Sequence, residues 1–162
     1  MPEIRHCLRC GDRLTVEARE GIDRFVCSSE SCGYVYWDNP LPVVAAVVEY
    51  HGDVILIRQR GWPEKWFGLV TGFLEKNETP EEGILREIKE EIGLEGKVMS
   101  LIGIYPFFQR NELIIAYHVL AKGSIQLGEE IIDFRRVAPK KLRPWSAATG
   151  LAVKDWLTSL QE

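Results

Sequence analysis

The stretch Gly72 to Leu94, GFLEKNETPEEGILREIKEEIGL, holds seven glutamates against two lysines and one arginine. Carboxylates can hold hard divalent cations or carry protons in a reaction. At about 100° per residue, Glu87, Glu90 and Glu91 share one sector of a helix. Like charges at that spacing repel and weaken the helix. Carboxylates so crowded resist full ionisation unless something positive sits among them. Arg86 can offset one of them, and Lys89 points elsewhere. Mg²⁺ or Mn²⁺ answers the problem directly, because hard oxygen ligands on one face suit either ion. A solvated acidic face is the competing reading.

Four cysteines form a second group with chemical capacity: Cys7-x2-Cys10, then sixteen residues, then Cys27-x4-Cys32. Two short-spaced thiolate pairs suit tetrahedral Zn²⁺, and four thiolates leave no open position, so the expected site is structural. A segment of about forty residues cannot bury enough apolar surface to fold alone, and a metal supplies the missing stability. Disulfides are disfavoured in a chain read as lacking an export signal. His6 is a nearby nitrogen, read as a bystander.

The elements that position the acids are written around them. Thr79 is an N-cap, Pro80 occupies the first helical position, and Glu82 completes a capping box. Gly93 stops the helix. Ile84, Ile88 and Ile92, widened by Leu85, give the buried stripe. Upstream, Pro40 and Pro42 in WDNPLPVV mark a boundary between a ribbon at 1–39 and a larger domain at 40–162. VVAAVVEY and VILIRQR read as strands joined by the turn HGD. WFGLVTGFLE is a further extended run. KVMSLIGIY and ELIIAYHVLA are strand candidates, and WSAATGLAVKDWLTSL reads as a closing amphipathic helix. Strands outnumber helices, in the order of a mixed α/β sandwich.

The formal charge is −4. It divides evenly: residues 1–39 have five arginines against seven acids, and the remainder has fifteen basic residues against seventeen acids. Neither part has the positive excess that non-specific binding to phosphate backbones needs, so nucleic acid is not an expected partner. No apolar run approaches membrane-spanning length. The expectation is a soluble, cytoplasmic protein.

Gly72, five residues, Glu78, seven residues, then Arg86-Glu87-Ile88-Lys89-Glu90-Glu91-Ile92-Gly93-Leu94 resembles the Nudix box, with every specified position filled. The resemblance implies an α/β fold, the Nudix α/β/α sandwich with a mixed sheet, preceded here by a small zinc ribbon. It also implies hydrolysis of a nucleoside diphosphate linked to another moiety. Carried over by position, Glu87, Glu90, Glu91 and the carbonyl of Gly72 would hold Mg²⁺ or Mn²⁺. Arg86 would orient the carboxylates, and Glu78 would be an outer acid. Metal ions neutralise charge building on phosphate oxygens and acidify water, while a carboxylate takes the proton. Glu91 is the first choice as base, with a loop acid as rival.

A zinc ribbon before the box, joined through YVYWDNPLPVVAAVV, resembles the NADH pyrophosphatase group. The group's substrate signature after the box is Ser-Gln-Pro-Trp-Pro-Phe-Pro-x-Ser. Here the comparable stretch is IYPFFQRNELIIAYH, and only Pro106-Phe107 matches. The resemblance therefore leaves NADH, FAD and ADP-ribose open. In EEIIDFRRV, Asp133 is the best positional match to the group's further metal-site acid, with Glu130 close behind. Tyr105, Phe107 and Phe108 could stack on a base or flavin, core packing being the alternative for each. Arg110 is a candidate phosphate or ribose contact. Trp62 and Trp66 flank a loop, and His118 reads as a core histidine. A non-catalytic nucleotide sensor and removal of nicotinamide caps from RNA are the competing functions. The ribbon suggests a homodimer contact or a lid.

Overall fold

A computed structural model describes residues 5–161. The chain divides into two compact units, one reaching to Asn39 and the other starting at Pro40.

In the first unit, β1 (Leu14–Arg19), β2 (Ile22–Cys27) and β3 (Val35–Tyr36) form an antiparallel three-stranded sheet. The cysteines lie at the mouth of this sheet. Their sulfurs fall within 4.8 Å of one another. Cys7 Sγ is 3.7 Å from Cys32 Sγ, and Cys10 Sγ is 3.5 Å from Cys27 Sγ. These separations exceed a disulfide bond, and all four thiols are free. The longer second loop still closes, because the Cys32 N–H donates to the Ser29 carbonyl at 3.1 Å. The cluster is therefore compatible with tetrahedral zinc. His6 is exposed and forms a lone β-bridge with Arg13.

The second unit holds β4 (Leu41–Tyr50), β5 (Asp53–Gln59), β6 (Val70–Phe73), α1 (Pro80–Ile92), β7 (Glu95–Phe107), β8 (Glu112–Lys122), β9 (Ile131–Val137) and α2 (Thr149–Ser159). Its sheet runs β7-β8-β4-β5-β9, with β6 pairing β4 off this path. β4 and β8 are parallel and the other pairs antiparallel, so the sheet is mixed. β4 is apolar without alternation because both its faces are covered. Val44, Ala46 and Val48 pack with Ile84, Ile88 and Ile92 of α1. Val43, Ala45 and Val47 face the side covered by Ala152, Val153 and Trp156 of α2. The result is the α/β/α sandwich that the resemblance to the Nudix box implies.

Two expected elements differ from the sequence reading, and β9 was not among those expected. Only Val70–Phe73 of the run WFGLVTGFLE is a strand, and Gly68 makes an isolated bridge to Ile57. The closing helix starts at Thr149, not at Trp145. Ala148 takes φ 50° and ψ −125°, a turn that α-helix cannot continue through. Gly150 then sits so close to the Trp145 carbonyl that a Cβ would overlap it.

In the first unit, Cys7, Val26 and Cys27 are the buried apolar residues among those described. So small a core needs its cross-link. Metal analysis of purified protein should find one zinc per chain. Cys27→Ser should release it and open the segment before Asn39 to proteolysis while the larger unit still melts cooperatively. Full protection of that segment without zinc would contradict the metal's structural role.

Candidate active site

The helix α1 is held at both ends by its own sequence. Thr79 Oγ1 accepts from the Glu82 N–H at 3.2 Å, and Glu82 Oε2 accepts from the Thr79 N–H at 2.8 Å. Gly93 closes the C-terminus in the left-handed region at φ 72°. The buried stripe then fixes the helix rotation and delivers Arg86, Glu87, Glu90 and Glu91 to one cleft of about 610 Å³.

Arg86 is the hub of that cleft. It grips Glu78 through Nε at 3.0 Å and Nη2 at 2.7 Å. Its Nη1 reaches Glu87 at 2.7 Å and Glu90 at 3.1 Å, and Nη2 also donates to the Phe73 carbonyl at 3.1 Å. The expectation that Arg86 offsets one carboxylate is too low, since it holds three. Glu78 also accepts from the Glu75 N–H at 2.7 Å. The Arg86 hydrogen bonds above all, then that amide, hold Glu78 down at about 2. Glu78 and Arg86, expected among catalytic residues, are thus locked to each other.

Glu91 stands apart from this network. It is a buried residue, 7% exposed. Gln59 Nε2 donates to its Oε1 at 3.0 Å, whereas its Oε2 is buried without a partner. Burial pushes the carboxyl up to about 8, against the opposing hydrogen bonds from Gln59 and the Thr71 main chain. The Glu87 carboxyl is also raised, chiefly by burial. Gly72 makes room for Glu87: a Cβ at Gly72 would overlap the Glu87 carboxylate. That glycine is required by space and not by backbone conformation.

Sequence reasoning missed Gln59 and misjudged the loop acid. A β-bulge between Arg58 and Gln59 shifts the pairing, so that Arg58 opposes Asp133 while Gln59 opposes Ile131. Strand alternation then sends Asp133 and Arg58 to the α2 face, away from the Nudix-like helix. Asp133 Oδ2 lies 3.6 Å from Arg58 Nη2, and Asp133 does not line the cleft. The expected metal ligand is thereby corrected. Glu129 and Glu130 line the cleft instead. They arrive because the loop before β9 folds over the end of α1, where the Gly128 N–H donates to the Glu91 carbonyl at 2.9 Å. A Cβ at Gly128 would strike the Glu90 carbonyl. The available signals were a polar residue ending an apolar strand and the pair Glu129-Glu130 after a glycine.

A second hollow, of about 760 Å³, shares Val43, Thr71, Arg110 and Glu112 with the acidic cleft. Trp62, Trp66, Phe67, Phe107 and Trp145 line it. Phe107 and Arg110 are therefore among the residues that line this hollow. Arg110 Nε pairs with the buried Glu112 at 3.2 Å. Tyr105 is not: it is a core residue, its hydroxyl donating to Asp155 of α2 at 2.8 Å. Phe108 is 86% exposed and lines neither hollow. His118, in the parallel pair with β4, sits 3.0 Å from Glu49 and beside Trp156, as a core histidine.

Residues 39–157 match the family model described as NUDIX domain. The chain belongs to the Nudix family. The NAD-capped RNA hydrolase NudC of Mycobacterium bovis is 38% identical over 80 residues, 49% of this chain and 26% of that protein. The ADP-ribose pyrophosphatase of Methanocaldococcus jannaschii is 42% identical over 73 residues, 44% of this chain and 43% of that protein. The chain thus spans less than half the length of these curated relatives. A crystal structure of a Nudix hydrolase from Nitrosomonas europaea superposes with a TM-score of 0.82 at 21% identity, covering 98% of this chain and 93% of that one. This likeness shows a shared fold. Among the described residues, no helix is long and apolar enough to cross a membrane.

Nudix hydrolases use divalent metals, and the donors here fit one. The unpartnered Glu91 oxygen, the space kept at Gly72 and a lining rich in carboxylates suit a hard cation. Glu87 and Glu90 are turned onto Arg86, a single positive charge among several negative ones.

The Glu91 shift carries a definite pH dependence. The folded state keeps the proton up to about 8, while the unfolded chain loses it near 4.5. Between those values the unfolded state binds fewer protons, so stability without added Mg²⁺ or Mn²⁺ falls as pH rises. Glu91→Gln should flatten that decline and raise Tm at pH 8 by several degrees, and added Mg²⁺ should stabilise the parent protein alone. Thermal melts across this range decide it. Identical pH profiles for the two proteins would show that Glu91 bears no buried charge.

Proposed function

We propose that this Nudix protein hydrolyses the pyrophosphate link of a nucleoside diphosphate derivative, NADH-, FAD- or ADP-ribose-like, to monophosphate products. The observation that carries this reading is Glu91, with one oxygen steadied by Gln59 and the other buried and free beside an acidic cleft. A carboxyl held that way can accept a proton from water once charge is compensated around it.

Glu87, Glu90 and Glu91, with the Gly72 carbonyl, would hold Mg²⁺ or Mn²⁺, and Glu129 or Glu130 would serve where Asp133 was expected. The bound ions would neutralise phosphate charge and make water more acidic. Glu91 takes the proton of the attacking water as its oxygen bonds phosphorus. The anhydride P–O bond breaks, and the departing phosphate leaves with the electron pair. Gln59 fixes the direction of Glu91. Arg86 keeps Glu87 and Glu90 from turning away, and Glu78 anchors Arg86. The aromatic hollow would take the flat ring of the substrate, with Phe107 on its wall and Arg110 where hollow and cleft meet. Stacking there contributes on the order of 1–3 kcal/mol per ring.

The reading places the protein in the cytoplasm, where four free thiols and Zn²⁺ coexist. It favours catalysis over a sensor, because a sensor needs no buried, half-satisfied carboxyl beside its ligand.

Chromatography of products from NADH, FAD and ADP-ribose, with Mg²⁺ and Mn²⁺, tests it. AMP should appear from at least one of them, and Glu91→Gln should lower kcat by about 10²–10⁴. Absence of AMP from all three would defeat the proposal.

A further inference from the structure

Glu91 and Glu112 are the two buried acids among the described residues, and Glu112 does not belong to α1. It starts β8 directly opposite Phe107 of β7, so its carboxylate and that ring leave the sheet on the same face. That face also carries Val43, Ile114 and Ala116. Burying an acid is costly unless a partner compensates it. The partner is Arg110, whose Nε comes within 3.2 Å while its side chain remains 67% exposed. One such contact leaves acceptor capacity on the carboxylate, which has two oxygens and several lone pairs.

Glu112 and Arg110 line both the acidic cleft and the aromatic hollow, together with Val43 and Thr71. Position along the substrate decides what meets them. In a nucleoside diphosphate derivative the order is base, ribose, phosphate, phosphate. With the base among the aromatic rings and the anhydride among the carboxylates, the ribose falls at the boundary. There the Val43 side chain offers no polar atom, and Thr71 offers a single hydroxyl. Glu112 offers a pair of oxygens that only accept, which matches the neighbouring 2′- and 3′-hydroxyls of a ribose. An acid reads the ribose 2′-hydroxyl in dinucleotide-binding folds, whereas an available arginine accommodates a 2′-phosphate. Here the arginine is already engaged, and to reach a phosphate it would abandon a buried charge.

We propose that Glu112 selects the sugar, accepting hydrogen bonds from the 2′- and 3′-hydroxyls of the ribose that bears the stacked base. It admits the ribonucleotide and rejects two near relatives. The 2′-deoxy form lacks the donor, and the 2′-phosphorylated form brings a like charge. Arg110 fixes the direction of the carboxylate. This inference rests on the pyrophosphatase reading for the place of the anhydride, but sugar recognition is measurable without hydrolysis.

ADP-ribose is the probe, because only one of its riboses bears a base. Its binding is compared with that of the analogue 2′-deoxy in the adenosine ribose and of the analogue 2′-phosphorylated there. Quenching of tryptophan fluorescence reads it, since Trp62, Trp66 and Trp145 line the hollow. No Mg²⁺ or Mn²⁺ is added, and repulsion of the anhydride is then common to all three ligands. The parent protein should bind ADP-ribose about 10- to 100-fold more tightly than either analogue, as for a hydrogen bond to a charged acceptor. Glu112→Gln keeps the shape and removes the charge. It should shrink both ratios severalfold and bind the 2′-phosphate more tightly than the parent does. With Mg²⁺, kcat/KM on the three ligands should rank in the same order for the parent and lose that order in the variant. Equal weakening of all three by the substitution, with the parent's ratios kept, would make Glu112 structural. A lower kcat on all three at unchanged binding ratios would make it a metal ligand or base. Either result overturns the assignment, as does a parent protein that binds the three alike or binds none. The parent's ratios test the proposal even where the variant does not fold. If the ratios hold and depend on Glu112 but nothing is hydrolysed with Mg²⁺ or Mn²⁺, sugar selection stands and the pyrophosphatase reading fails. If all three are hydrolysed with equal kcat/KM, that reading stands and sugar selection fails.

Discussion

One guanidinium sets the terms of the site. Arg86 meets Glu78 in a fork and spreads its remaining N–H groups over Glu87, Glu90 and the Phe73 carbonyl. A lysine could supply the charge but not this planar set of donors. The arrangement makes folding possible with acids only one turn apart, since ionised neighbours at that spacing otherwise repel. It does not neutralise them. Three carboxylates around one arginine leave an excess of negative charge, and Glu91 escapes part of the conflict by favouring its protonated form. A fold that tolerates its acids in this way is prepared for a cation.

The second constraint is the strand period of two. β4 is covered on both faces, so it carries no alternation that says which side is which. The side is set by neighbours in the sheet. β5 sends Ile55 and Ile57 towards α1 and Val54 and Leu56 towards α2. The alternation of β5 sends Gln59, like Ile57, to the side of Glu91, while an extra residue of β9, Ile132, turns Asp133 to Arg58. One extra residue in the ladder thus selects the acid that enters the cleft.

That is also where legibility from sequence stopped. The cap at Thr79, the stop at Gly93 and the isoleucine stripe are local, and each was readable because its partners lie within a few residues. The cysteine cluster was readable for the same reason: its pairs are short-spaced even though the pairs lie apart. Asp133 failed because its direction depends on an extra residue in β9 beside it, visible only once β9 is paired with β5, and β9 carried no pattern strong enough to announce itself. Tyr105 failed because an aromatic residue near a motif looks alike whether it stacks on a ligand or closes a core. Only the Asp155 carboxylate on α2, fifty residues on, distinguishes them. Gln59 was invisible as one amide at the end of an apolar strand, until the fold set it against Glu91.

Charge separation along the combined hollow also orders events at the site. An acidic cleft repels phosphate, so a phosphate-bearing ligand gains little there before cations are present. The aromatic hollow carries no such barrier, and Arg110 pairs with Glu112 at the boundary between the two. A ligand can therefore be held by its ring while its anhydride stays at the edge of the negative field. Cation and phosphate then favour each other's entry, because each relieves the repulsion that excludes the other. By thermodynamic reciprocity the coupling is the same in both directions. On the proposed function, the carboxylates crowded on α1 would in this sense be a specificity device: they would admit a phosphoric anhydride only in the company of a metal that helps to break it.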